Sequence, residues 1–449
     1  MNTNYKNILI GVGLGFFCHQ QNAFSFDRDI QSVTILIQPT VSDTCQVGTG
    51  SGVIINRRDN KYMFITAAHV VKNRACSYSI VTANGKRQKL SISTVRVLQE
   101  KTDLAVGEFT SNRQLAIAKI GISADVTEGN NVSVSGYAPN IDFSPVYTLR
   151  KGKIIASSNN EFDSGYAVIY SSNTVPGMSG GGVFNSNNEL IAIHGRGDIL
   201  ESSSLNNSSP EIRFKTGYDL GIPIDTFVKL ARQIPSIVLP KISQQPKERG
   251  SKQASADFFI KGIEKMRDSK FIEAIDSFDR AIQLNPQDSA AYAARASSYS
   301  NIQNKAAALE NINRAIELDP NVSNFYLVRA NLLVDNSQTR AKSIADVNMA
   351  IELDPNNSMA YIFRAAFNLK DGQTTQASFD DFEKAIALNP SSSMAYMFRG
   401  LLYYGQKKMD LFRSDFEKVK SLALMNGDTQ QYQNATSLLD LIKTYNLGK

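Results

Sequence analysis

Two stretches decide how this chain is read: Phe64-Ile65-Thr66-Ala67-Ala68-His69-Val70-Val71 and Pro176-Gly177-Met178-Ser179-Gly180-Gly181-Gly182-Val183, with Thr102-Asp103-Leu104-Ala105-Val106 between them. A neutral serine hydroxyl is a weak nucleophile. It needs a base within hydrogen-bond reach, and the base needs a partner that fixes its tautomer and stabilises its charged form. Ser179, His69 and Asp103 are the residue types for those roles. Glycines on both sides of Ser179 allow a tight turn that aims the amides of Gly177 and Ser179 at one point, where a developing oxyanion would sit. The small residues Thr66, Ala67 and Ala68 let the histidine segment approach a neighbouring element closely. Taken singly, the histidine reads as a core residue, the aspartate as a turn residue and the serine as a loop spacer. The three in this order, each with its neighbours, read as one constellation.

Outward from these stretches, residues 26 to 238 run as short alternating or continuous apolar segments broken by Gly, Asn, Asp and Ser. Val33 to Ile37, Gly52 to Ile55, Tyr62 to Thr66, Ala105 to Phe109, Tyr166 to Tyr170 and Glu189 to His194 are examples. Many short strands with turn signals predict an all-β barrel or sandwich. Tyr218 to Ile224 reads as a last strand, followed by a helix with Asp225 as its N-cap.

At the three motifs the chain resembles the chymotrypsin-like or trypsin-like serine proteases, which carry T-A-A-H, D-x-A and G-x-S-G-G in this order. The resemblance implies two six-stranded barrels with the site between them. It also implies His69 as general base, Asp103 as its orienter, Ser179 as nucleophile and the amides of Gly177 and Ser179 as oxyanion hole. Met178 stands where many members have aspartate, and no Ile-Val-Gly-Gly start is present, so zymogen activation is not implied. Thr174 and His194 stand at the spacings from the serine that resemble the bacterial glutamyl endopeptidases. In that subset the pair binds the P1 carboxylate, which implies a preference for Glu or Asp. A hydroxyl and an imidazole can both donate to a carboxylate. The order His, Asp, Ser speaks against an esterase of the Ser, Asp, His order. The rival reading is an inactive protease-like domain in a protein-binding scaffold.

Residues 239 to 254 have no apolar period and read as a flexible basic linker; Lys241, Lys247, Glu248, Arg249 and Lys252 lie in or near it. Beyond it, Pro286, Pro320, Pro355 and Pro390 close the phrases Ala281-Ile282-Gln283-Leu284-Asn285-Pro286, Ala315-Ile316-Glu317-Leu318-Asp319-Pro320, Ala350-Ile351-Glu352-Leu353-Asp354-Pro355 and Ala385-Ile386-Ala387-Leu388-Asn389-Pro390. Their spacing of 34 or 35 residues resembles the tetratricopeptide repeat. The resemblance implies five units over 255 to 425 in an all-α solenoid, closed by a capping helix within 426 to 449. Met359, Ile362, Met394, Met397, Leu401 and Tyr404 fall where that family lines its concave groove. This implies an adaptable site for a protein or peptide partner. Arg295, Arg329, Arg364 and Arg399 recur in register, and Asp276, Glu310, Asp346 and Asp380 are their expected internal partners.

The chain as a whole has 449 residues, 42% of them apolar and 20% charged, with three cysteines and three histidines. That apolar content excludes a largely disordered chain, and no run reaches the roughly 18 apolar residues of a mature transmembrane helix. No C-x-x-C or H-E-x-x-H spacing occurs, so neither a metal nor a cofactor is expected. The net charge of +6 is concentrated near the linker, so a nucleic-acid surface is not expected. Residues 1 to 25 have a signal-peptide layout: Lys6, an apolar run from Ile8 to Cys18, and small residues at Ala23 and Ser25. The mature protein is therefore expected in the periplasm or outside the cell, with Cys45 and Cys76 as a disulfide.

Overall fold

The computed structural model describes residues 27–40, 48–197 apart from 143, 159, 161, 163 and 164, the pairs 205–206 and 209–210, 217–234, 237, 252–334, 338–370, 376–426 and 429–446. The signal segment, Cys45 and residues 239–251 lie outside the described residues. Among the described residues no helix is long and apolar enough to cross a membrane.

Period-2 segments build two sheets. After helix α1 (27–33), strands β1 (Thr34–Pro39), β2 (Gly50–Arg58), β3 (Lys61–Thr66), β4 (Tyr78–Val81), β5 (Arg87–Leu90), β6 (Arg96–Gln99) and β7 (Thr102–Thr110) form a sheet in the order β5-β4-β1-β2-β3-β7-β6. The short helix α2 (Ala68–Val71) follows β3 directly. The second sheet holds β8 (Lys119–Ile120), β9 (Asn131–Pro139), β10 (Pro145–Ser157), β11 (Val168–Ser171), β12 (Gly182–Phe184), β13 (Glu189–Gly197) and β16 (Asp219–Pro223); β14 (Leu205–Asn206) and β15 (Ser209–Pro210) pair separately. Its order is β12-β9-β10-β11-β16-β13-β8, and because β12 also pairs with β13, six strands close into a barrel with β8 appended in parallel. The first sheet differs from the expected six strands. It has seven, and among the described pairings its edges β5 and β6 do not join. Each sheet encloses its own core, one around Ile35, Phe64 and Ala105 and the other around Val134, Tyr170 and Ala192. Helix α3 (Ile224–Ala231) starts after Pro223, so Asp225 is not its cap: it lies in the first turn, and its Oδ2 accepts from the amide of Ala124 at 3.0 Å.

The helical half pairs α4 (Lys252–Arg267) with α5 (Phe271–Leu284), then α6 (Ser289–Asn301) with α7 (Lys305–Leu318), α8 (Ser323–Val334) with α9 (Arg340–Leu353), α10 (Ser358–Lys370) with α11 (Gln376–Leu388), and α12 (Ser393–Gly405) with α13 (Met409–Asn426). Helix α14 (Thr429–Asn446) packs on the end. Small residues make the crossings possible: a Cβ on Gly262 would lie 2.4 Å from Phe278, and one on Gly400 2.9 Å from Phe416. The recurring arginines pair internally, as expected, but only Arg329 takes one of the expected partners, and Arg364 takes the residue next to one. Arg329 binds Asp346 at 2.7 Å, whereas Arg364 binds Asp381 at 2.6 Å, Arg399 binds Asp415 at 2.7 Å, and Arg295 binds Asp279 at 2.5 Å with Asn311. One position turns a side chain by about 100° around a helix, which is enough to point Asp380 outward and Asp381 inward. Each guanidinium also lies over the tyrosine three residues before it, 5.3 to 5.7 Å from the ring centre.

The solenoid is folded onto the β half. Phe259, Ile260, Ile263 and Met266 of α4 share one buried cluster with Tyr166, Tyr218, Ile222 and Phe227, and Phe259 meets the Tyr218 ring edge-on at 5.9 Å. Further along, Asn173 Nδ2 donates to Asp354 at 2.7 Å, and Arg150 Nη2 to the carbonyl of Leu388 at 3.1 Å.

Candidate active site

His69 stands on α2, one residue after the buried Thr66-Ala67-Ala68 segment has delivered β3 into the cleft, and Asp103 is the second residue of β7, which pairs with β3. That pairing brings them together. The backbone N–H of His69 donates to Asp103 Oδ1 at 2.8 Å, and its Nδ1 lies 2.6 Å from Oδ2. Two bonds from one residue fix both the position and the tautomer of the ring, leaving Nε2 for other work. The imidazole is 31% exposed and the carboxylate 11%. Burial alone would raise the pKa of Asp103, but the hydrogen bond and charge of His69, the hydroxyl of Tyr166 and the His69 amide together hold it below the usual carboxylate value.

Tyr166 is a site residue that the motifs did not disclose. It lies 1% exposed, and its hydroxyl donates to Asp103 Oδ2. Burial, with the Asp103 charge beside it, keeps the phenol protonated far above its ordinary value, so it acts as a permanent donor. No local pattern marks it, since 63 residues separate it from Asp103.

Ser179 sits in the loop between β11 and β12. Positive φ at Gly177 (96°) and Gly180 (85°) gives that loop a path open to glycine. At Gly180 a Cβ would lie 2.1 Å from Thr66 Oγ1 and 2.2 Å from the carbonyl of Ser51, so only a glycine lets the serine loop press against the segment that leads to His69. The amide of Ser51 also donates to the Ser179 carbonyl at 2.8 Å. Among the described residues the amides of Gly177 and Ser179 have no protein acceptor, and the Ser179 Oγ forms no hydrogen bond with His69. Unliganded sites commonly hold the nucleophile and base slightly apart.

Thr174 and His194 both lie in the second barrel, where the Thr174 hydroxyl and one ring nitrogen of His194 are taken up by protein partners. Thr174 is 6% exposed, and its hydroxyl proton goes to the buried carboxylate of Asp219, which also accepts from the amides of Ser172 and Thr174. His194 is 2% exposed, with Nδ1 2.6 Å from the Tyr170 hydroxyl. Asp219 is the cause in the first case and burial in the second; neither can be read from spacing to the serine.

The groove residues are also placed differently from expectation. Ile362, Met394 and Met397 are buried in the solenoid core, Leu401 packs against it, Met359 lines a cavity facing the β half, and Tyr404 is 53% exposed. The core takes the first three because each repeat buries its first helix against the next repeat as well as within its own pair. Cys76 is buried and in the disulfide-bonded state. Among the described residues no cluster of His, Cys, Asp and Glu is arranged to hold a metal ion.

Two β sheets followed by helix pairs have the fold of a trypsin-like domain ahead of a tetratricopeptide-type solenoid. Residues 50–193 match the family described as trypsin-like peptidase domain, and residues 289–322 match the tetratricopeptide repeat. Similar proteins include the serine protease Do-like HtrA of Bacillus subtilis (strain 168), 27% identical over 158 residues, 34% of this chain and 34% of that protein. Exfoliative toxin A of Staphylococcus aureus is 26% identical over 132 residues, 29% of this chain and 40% of the toxin. The chain thus spans well under half the length of these relatives. A solved HtrA-type protease with a tripeptide aligns with a TM-score of 0.35 at 16% identity, covering 47% of this chain and 62% of that one.

Proposed function

We propose that the chain is an exported serine endopeptidase that cleaves peptide bonds through an acyl-enzyme. The observation that carries this is the pair of hydrogen bonds from His69 to Asp103, set beside a serine loop that only glycine can press against the histidine segment. In the reaction, His69 Nε2 takes the Ser179 hydroxyl proton as Oγ attacks the scissile carbonyl. The amides of Gly177 and Ser179 receive the oxyanion, and the imidazolium returns its proton to the leaving amine. Asp103, kept ionised by its donors, stabilises the imidazolium throughout. Water then repeats the sequence on the ester.

Export, with a Cys45–Cys76 disulfide, follows from the N-terminal layout and is supported by the oxidised state of Cys76. A preference for Glu or Asp at P1 belongs to the proposal. Its support is positional, since Thr174 borders the cavity that holds Arg150, while the Asp219 carboxylate beneath Thr174 opposes it. The repeats are proposed to serve substrate or partner recruitment. Comparing wild type with Ser179→Ala on an unfolded protein substrate tests the main reading: cleavage by wild type alone supports it, and equal cleavage by both refutes it.

A further inference from the structure

The solenoid and the barrel enclose a cavity of about 70 Å³ between them, lined among others by Arg150, Asn173 and Thr174 from the barrel and Asn324, Asn357 and Asn389 from the repeats. Its charged lining group is Arg150, whose Nη2 donates to the Leu388 carbonyl. The Nε of the same guanidinium is buried and, among the described residues, has no acceptor. A buried guanidinium N–H without a partner is costly, because its lost hydration is not replaced. The carboxylates near Arg150 do not supply that partner. Asp219 is held by two amides and the Thr174 hydroxyl, and Asp354 by Asn173 and the amide of Asn356. The rest of the lining mixes apolar side chains such as Leu327 and Phe363 with amides and hydroxyls; Asn173, Thr174 and Asn357 already donate within the protein, while Asn324, Asn356 and Asn389 carry side-chain amides that can donate to an oxyanion.

We infer that this junction is a carboxylate-binding site whose cation comes from the barrel and whose far wall comes from the repeats. A single guanidinium with amide donors suits a monoanion in planar, two-point contact; a phosphate dianion would call for more positive charge. The cavity is large enough for a carboxylate with a few carbons of the chain that carries it. Thr174 and Asn173 belong to the loop that leads into Ser179, so an occupied site bears directly on that loop. The inference does not depend on catalysis. It requires the solenoid to be part of the binding site and not an arm that acts at a distance.

The test uses the full-length Ser179→Ala protein and reads binding by calorimetry, so a failure of the protease reading leaves it intact. One arm titrates two alanine-rich hexapeptides that differ only in a central Glu or Gln; the other titrates glutarate, a free dicarboxylate. A tenfold or greater preference for the Glu peptide identifies an acidic residue as the source of the carboxylate, and binding of glutarate alone identifies a free acid. Either preference must fall at least tenfold in Arg150→Gln. Arg150 also tethers the solenoid through Leu388, so Asn389→Asp serves as the second variant. It places a negative charge in the cavity without removing the guanidinium, and it must abolish binding. Equal affinity for the two peptides with no glutarate binding, or binding that survives both variants, overturns the inference.

Discussion

The chain's two described histidines belong to different barrels and have opposite surroundings. His69 keeps nearly a third of its side chain exposed and turns one ring nitrogen to a carboxylate, while His194 is sealed in the second barrel with one ring nitrogen against a buried phenol. A group that moves protons needs one ring nitrogen tied to an orienting acceptor and the other reachable by substrate. A group that holds a barrel together needs neither. The same side chain is thus part-exposed and carboxylate-bound in one barrel, and buried against a phenol in the other.

Substitution should separate the two roles. His69→Ala is expected to lower kcat/KM by about 10⁴-fold, with little change in melting temperature. His194→Ala should instead cost about 2–3 kcal/mol of stability, through an emptied site and a Tyr170 hydroxyl left with only its long bond to the Leu220 carbonyl, measured by denaturant unfolding. If the His194 variant loses activity while keeping its stability, the assignment of that residue to packing is wrong. Tyr166→Phe falls between them. Asp103 keeps its His69 bonds but loses one donor, so roughly a tenfold fall in kcat is expected together with about 1 kcal/mol of stability. A loss of stability with kcat unchanged would confine Tyr166 to structure.

The smallest effect is expected at the seam between the barrel and the repeats. Burial raises the pKa of Asp288 to about 6, with Glu128 adding to the rise and the Ala291 amide opposing it. A folded-state value above the unfolded one means that the contribution of this group to stability is full below about pH 4 and lost as pH rises through 6. Asp288→Asn keeps an N-cap acceptor for Ala291. It should therefore be more stable than wild type by about 1 kcal/mol at pH 7.5, and the difference should vanish near pH 4. An equal difference at both pH values would place the effect elsewhere.

The parts of this architecture legible in the sequence are those written in short segments. Thr66 to His69, Thr102 to Ala105 and Gly177 to Gly181 each carry a motif, and the prolines at Pro286, Pro320, Pro355 and Pro390 mark the repeats. The features that escaped depend on pairs of distant residues. Tyr166 reaches Asp103, Asp219 takes the hydroxyl of Thr174, and Arg150 meets Leu388 across 238 positions. Phe259, Ile260 and Ile263 have the period of a repeat helix, and that period does not say that the same residues also close the core of the barrel. Residues 239 to 254 read as a flexible linker, whereas the solenoid beyond it forms a wall against the β half.

The central claim is that Ser179 is a nucleophile activated by His69. Treating the folded full-length protein with diisopropyl fluorophosphate and mapping the adduct by peptide mass spectrometry tests it most directly. The account predicts a single stoichiometric adduct on Ser179 that disappears in His69→Ala. An unmodified Ser179, or labelling that is equal in the His69 variant, would contradict it.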